Sequence, residues 1–217
     1  MFALLFIAGM FALTLQRIAQ TETDIEPLSQ KLSLRLQKLW DIAHVGLREN
    51  KFLRAEKALL TILKIDQTNA AAYNRLGILY AKQKEYKDAI DCFEIASSLE
   101  PSPSSLHNLG LIYYETENYE KAAAAFEHSL EMEENLAARH IAYAKVLERL
   151  GDNKGMLLEL EKAVELEPNP ESYQLLAKAY EATGHENEAE EIRSKLRTLI
   201  MPTTRARRIA RPRRAVI

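Results

Sequence analysis

Apolar residues recur along this chain at helical spacing, and the whole pattern then repeats. Leu76-Gly77, Tyr80, Tyr86, Ala89 and Phe93 return 33 residues later as Leu109-Gly110, Tyr113, Tyr119, Ala122 and Phe126. A recurrence at one fixed offset is the signature of a repeat architecture. One frame, with Leu76-Gly77 at positions 7 and 8, extends it to five units: 36–69, 70–103, 103–136, 137–170 and 170–203. Each unit offers two stretches of about 12–14 residues with apolar spacing near 3.6, which predicts two amphipathic helices. Polar turns such as KQKEY, ETENY and RLGDN separate them. Pro101 and Pro168, at position 32, stop the second helix of their units. No segment alternates apolar and polar residues long enough to predict a strand.

The small positions say how the two helices meet. Position 8 holds Ala43, Gly77, Gly110, Ala144 and Ala177, and position 20 holds Ala55, Ala89, Ala122, Met156 and Ala189. Antiparallel helices about 8–10 Å apart leave little room at their crossing, so these positions are expected there. Position 24 holds Leu59, Phe93, Phe126 and Leu160, which read as core, and then Arg193. That change predicts a closing helix with a polar outer face.

The pattern resembles the tetratricopeptide repeat, a 34-residue helix–turn–helix unit, over roughly three quarters of the chain. Units two and three match most fully; Asn153 and Glu186 stand where the family has an aromatic residue at position 17. The resemblance implies an all-α fold, a right-handed α-solenoid of about five units that works by binding proteins. It also implies a concave groove lined by the first helices. The groove residues would be Asn74, Ile78 and Lys82 (with Ala81), then His107, Leu111 and Tyr114 (with Glu115). Ile141, Lys145, Glu148 and Arg149 follow, then Gln174 and Lys178, with Trp40, His44 and Arg48 from the first unit. An apolar middle with a polar rim suits a peptide or protein segment. Family members that grip a chaperone's C-terminal carboxylate need a Lys/Asn–Asn–Lys/Arg clamp. The corresponding triads here are Trp40, His44, Arg75, Ser104 and Asn108, or Asn74, Ile78, Asn108, Ala138 and Ala142; only Asn108 fits, so that ligand is not expected.

Composition narrows the chemistry. With 47% hydrophobic and 28% charged residues the composition is ordinary for a soluble helical protein and too apolar for a disordered one. One cysteine, Cys92, forbids an intramolecular disulfide or a cysteine metal cluster and reads as a small packing thiol. His44, His107, His128, His140 and His185 are scattered one per unit and form no metal-binding spacing. No glycine-rich phosphate loop or activated nucleophile is present. No enzyme, cofactor or metal is expected.

The two ends depart from the repeat. Met1–Leu15 carries no charge and Arg17 is the first cation. Counted to Ala19, with Arg17 snorkelling, this stretch approaches the roughly 30 Å hydrocarbon core. It is expected to be a membrane anchor (residues 1–19), with residues 20–35 as tether and helix start. A cleaved signal peptide, leaving a soluble or exported protein, is the competing reading. Positive charge after the stretch places the repeats in the cytoplasm. The arrangement is similar to the bacterial lipopolysaccharide assembly protein B family, though the rubredoxin-type Cys-x-x-Cys domain of that family has no counterpart here. At the other end Arg205, Arg207, Arg208, Arg211, Arg213 and Arg214 form a tail (204–217) that is expected to be disordered. Its charge suits anionic lipid or RNA, the latter suggesting a ribosome-associated factor as an alternative function. Without the tail, the first 201 residues carry a net charge of −8.

Overall fold

Helix boundaries fall where the chain supplies caps and breakers. In the computed structural model, which describes residues 30–200, helix α1 covers 30–48. It is followed by α2 (Phe52–Ile65), α3 (Ala70–Gln83), α4 (Tyr86–Leu99) and α5 (Pro103–Glu115). Then come α6 (Tyr119–Met132), α7 (Ala137–Leu150), α8 (Asn153–Leu166), α9 (Pro170–Ala182) and α10 (Glu186–Ile200). Every described element is a helix, and α4 and α8 end two residues before Pro101 and Pro168. The Asn69 side chain caps α3 by accepting from the Ala72 N–H, 2.9 Å. Ser102 with Ser105, and Asn169 with Ser172, form reciprocal capping boxes, each followed by a proline at the first helical position. The expected anchor at 1–19, the tether up to residue 29 and the six tail arginines lie outside the described residues. Among the described residues no helix is long and apolar enough to cross a membrane.

One turn is made five times. Position 15 has positive φ in every repeat: Asn50 (56°), Lys84 (64°), Glu117 (61°), Gly151 (79°) and Gly184 (81°). The next residue's N–H reaches back five residues to a carbonyl, as in Asn118 to Tyr113 (2.8 Å) and Asp152 to Leu147 (2.9 Å). This bond caps orphan carbonyls at the end of the first helix and folds the second back upon it. Gly occupies the left-handed position only in the fourth and fifth repeats; Lys84 and Glu117 hold it at a steric cost that the tertiary packing offsets.

Facing side chains divide a fixed volume between them. A Cβ on Gly77 would lie 2.7 Å from the Phe93 ring, and one on Gly110 would lie 2.9 Å from the Phe126 ring. Where position 24 is the smaller Leu59 or Leu160, position 8 is Ala43 or Ala144. Close packing to crystal-like density makes such compensation necessary. Leu59, Phe93 and Phe126 are fully buried, as are Ala55, Ala89 and Ala122 at position 20.

The described residues divide at Pro101 and Ser102 into two compact bodies. The N-terminal body holds α1–α4 around Ala43, Leu47, Leu59, Ile62, Leu76 and Leu79. Within it the Tyr80 hydroxyl donates to Glu56 (3.0 Å), tying α3 to α2. Burial, followed by that carboxylate, pushes the phenol up to about 12. The C-terminal body holds α5–α10, with α6 packed on α7 and α8 on α9. The first helix is longer than the repeat alone predicts, because exposed turns rich in Leu, Gln, Lys and Arg extend it towards residue 30.

Candidate functional site: a trough across α5, α7 and α9

Positions 5, 9, 12 and 13 of a helix lie on one face, since they are spaced by three or four residues. In the C-terminal body this face is concave on three successive first helices. His107, Leu111 and Tyr114 of α5 and Ile141 and Lys145 of α7 line a cavity of 410 Å³. A second cavity, 250 Å³, shares Ile141 and Lys145 and continues to Leu175 and Lys178 of α9. The two make one trough with Ile141 and Lys145 at its middle. Glu167 and Glu171, from the α8–α9 connection, also border it. The sequence reading did not name them, because they come from a connection and a first turn rather than from the repeating helix face.

Polarity changes along the trough. Position 9 runs from Leu111, 38% exposed, to Lys145 and Lys178. Both lysines are exposed, and neither pairs with a carboxylate among the described residues. His107 sets its ring edge-on against Phe126, centroids 5.4 Å apart. Its buried Nδ1 has no partner among the described residues. Burial, and then the nearby Arg139, hold its pKa below the ordinary imidazole value, so the ring is neutral near pH 7. Tyr114 meets Tyr119 edge-on at 5.7 Å, and the Arg149 guanidinium covers Tyr119 at 5.0 Å. Arg149 is thus engaged with the α5–α6 aromatic pair.

Away from the trough, α7 carries a polar cluster that the sequence did not reveal. His140 Nδ1 is 2.6 Å from the Glu159 carboxylate on α8, and Nε2 is 2.8 Å from the Glu134 carbonyl. With a carboxylate and a carbonyl as acceptors, both contacts are hydrogen bonds when both ring nitrogens carry protons, so the site favours the imidazolium form of His140. The Glu159 bond leads in raising its pKa, against the burial that lowers it. Burial pushes Glu159 up, but bonds from His140 and Lys162 outweigh this and leave its pKa lowered. Arg139, 4% exposed, donates to the Glu133 carbonyl and pairs with its carboxylate, each at 2.8 Å. Two buried cations therefore fasten the connection between the third and fourth repeats.

In the N-terminal body Asn74, Ile78 and Lys82 lie along one face of α3, the first two half-buried and Lys82 exposed. Cavities of 660 Å³ and 520 Å³ in this body are lined by other residues. Cys92, half-buried, borders the smaller one, and burial pushes its thiol up to about 11, far from a reactive thiolate. Among the described residues no group of three or more His, Cys, Asp or Glu could hold a metal ion.

Family models for the tetratricopeptide repeat match residues 70–103 and residues 102–167. Residues 70–167 are tetratricopeptide repeats. Solved structures share the fold. MamA is 22% identical with a TM-score of 0.67, over 75% of this chain and 90% of its own. MamA from Desulfovibrio magneticus RS-1 is 17% identical with a TM-score of 0.69, over 76% and 94%. YrrB, a TPR protein with an unusual peptide-binding site, is 21% identical with a TM-score of 0.63, over 73% and 82%. No curated protein matches the chain.

Proposed function

We propose that this chain is a non-enzymatic adaptor that holds a protein or peptide segment in the trough of α5, α7 and α9. The observation that carries the reading is the continuity of that trough. His107, Leu111, Tyr114, Ile141, Lys145 and Lys178 come from three helices and border one concave surface. The peptide-binding site of YrrB, a structure of the same fold, adds support. An apolar half around Leu111 and Tyr114 supplies area, and the two lysines supply orientation. Residues 1–19 act as a membrane anchor that brings the bound partner to the cytoplasmic face; the uncharged stretch Met1–Leu15 supports this part. The arginine tail adds a contact to anionic lipid or RNA.

The test is crosslinking capture from intact cells with the native chain and with Leu111→Ala/Tyr114→Ala, after circular dichroism has established that the variant folds. A partner held by the native chain and lost from the variant supports the trough. Identical captures from both would dismiss it as the working surface. For the anchor, a carbonate wash that releases an N-terminally trimmed chain would sink the membrane reading.

A further inference from the structure

Among the described residues the first helix pair differs from the later helices in charge and in what it leaves open. Residues 30–65 contain eight Lys or Arg and three Asp or Glu, a net charge of +5; residues 66–200 carry a net −11. Of the three acids, Glu49 pairs with Lys51, and Glu56 accepts from Tyr80. On α2 the residues Leu53, Lys57, Leu60 and Lys64 are spaced by four, three and four, so they form one stripe. Leu53 is 65% exposed and Leu60 42%. The opposite face of α2 is the buried one, with Ala55, Leu59 and Ile62.

The 660 Å³ cavity lies beside this stripe, between α1 and α2. Its apolar lining includes Leu39, Ile42, Phe52 and Leu53; its charged lining is Lys51, Arg54 and Lys57, with no carboxylate. The repeat frame identifies this face. Positions 4, 7, 19 and 22 of the second repeat are Tyr73, Leu76, Asp88 and Asp91, which border a cavity shared with Leu60, Leu63 and Lys64 of α2. The same positions in the first repeat are Leu39, Ile42, Arg54 and Lys57. Among the described residues, the surface that the second repeat turns towards its predecessor is therefore open in the first, with cations in place of carboxylates.

We infer that the α1–α2 face is a docking surface for an anionic lipid bilayer, with Leu53 entering the interface and Arg54 and Lys57 meeting headgroups. Exposed leucines alternating with cations on one helical stripe are what an interfacial helix needs. Lysine and arginine stems can lie along apolar surface while their heads reach phosphate. A second copy presenting the same face would set like charge against like. The choice of a bilayer over another acidic partner rests on reading residues 1–19 as membrane-embedded. Only ten residues, 20–29, separate that stretch from Gln30, the first described residue. Fully extended they reach about 35 Å, so the face cannot be far from the bilayer surface.

The test uses the full chain carrying Trp40→Phe and Leu53→Trp, so that its one tryptophan reports the stripe. It is added to vesicles of phosphatidylcholine, with or without phosphatidylglycerol, whose acyl chains carry bromine as a quencher. Quenching is expected on the anionic vesicles only, and should be lost when Arg54→Glu/Lys57→Glu is added with the far-ultraviolet dichroism unchanged. Equal quenching on both vesicle types, or none on anionic vesicles, overturns the inference. So does a lipid-free emission shift that grows with protein concentration, which would assign the face to a second copy. Flotation on neutral vesicles reads residues 1–19 separately. Chains that float without charge-dependent quenching keep the anchor and lose this face; chains quenched on anionic vesicles but not floating on neutral ones do the reverse.

Discussion

The first and last helix pairs finish their ends of the repeat series in opposite ways. α10 closes with charge. At position 24, where the inner repeats bury Leu or Phe, Arg193 is 45% exposed and pairs with Glu181 and Glu190. Lys195 pairs with Glu191, and Arg197 with Glu190 at 2.5 Å. Only Ala189 and Ile192 of this helix are buried. The α1–α2 pair closes instead with leucines and a surplus of cations. A terminal repeat needs a polar outer face to stand in water alone. α10 has one supplied by its own sequence, whereas α2 carries the exposed leucines Leu53 and Leu60 among the described residues.

Core truncation should separate the ends most. Leu59→Ala, at a fully buried site of α2, is expected to cost about 3 kcal/mol. Ile192→Ala, at the thin edge of α10, should cost about half of that, since a partly open site loses less packing. Urea unfolding followed by circular dichroism measures both. Equal losses would mean that the two ends are sealed alike.

An intermediate effect belongs to the inner pair α7–α8, which is closed by the buried His140–Glu159 contact rather than by exposed charge. The folded pKa of His140 is raised, so its contribution is complete below the unfolded value of about 6.5 and fades as pH rises through the folded value. The folded pKa of Glu159 is lowered, so its contribution is present above its unfolded value and lost as pH falls through the folded one. The pair therefore supports the C-terminal body across the middle of the pH range. His140→Gln should lower stability there and flatten the decline on the alkaline side, as read from thermal melts at stepped pH. An unchanged alkaline limb would relieve His140 of that role.

The smallest thermodynamic effect is expected from Arg193→Leu. Its ion pairs are exposed and worth at most about 1 kcal/mol. The variant would nevertheless give the C-terminal end an apolar outer face like that of α1–α2. Light scattering after size-exclusion chromatography should then show more concentration-dependent association than in the native chain. A variant as dispersed as the native chain would show that the charge of α10 is not what keeps that end free.

Much of the local structure was legible because it is written in short-range terms. The 3.6 spacing gave helices, and Pro101, Pro168 and the polar turns gave their ends. Small residues at positions 8 and 20 marked the crossings, and Arg193 marked the closing helix. The concave-face positions could be carried over from the family resemblance, but their meeting could not be read. Asn74, Ile78 and Lys82 share a face on α3, while His107, Leu111, Tyr114, Ile141, Lys145 and Lys178 border a common trough. Glu167 and Glu171 join that trough from a connection on which helical periodicity is silent.

The sequence by itself therefore determined the repeat, its register, the division of each unit into two helices and the residues that fill or spare the crossing, because each depends on spacings of three or four along one chain and on their recurrence 33 residues later. Only the tertiary structure decided that Gly77 and Gly110 make room for Phe93 and Phe126, that His140 finds Glu159, and that Leu39, Ile42, Leu53, Arg54 and Lys57 border one cavity. These are matters of which surfaces meet. A side chain's partner across a hairpin is fixed by how two helices cross and by the volume left between them, and no periodicity along either helix contains that distance.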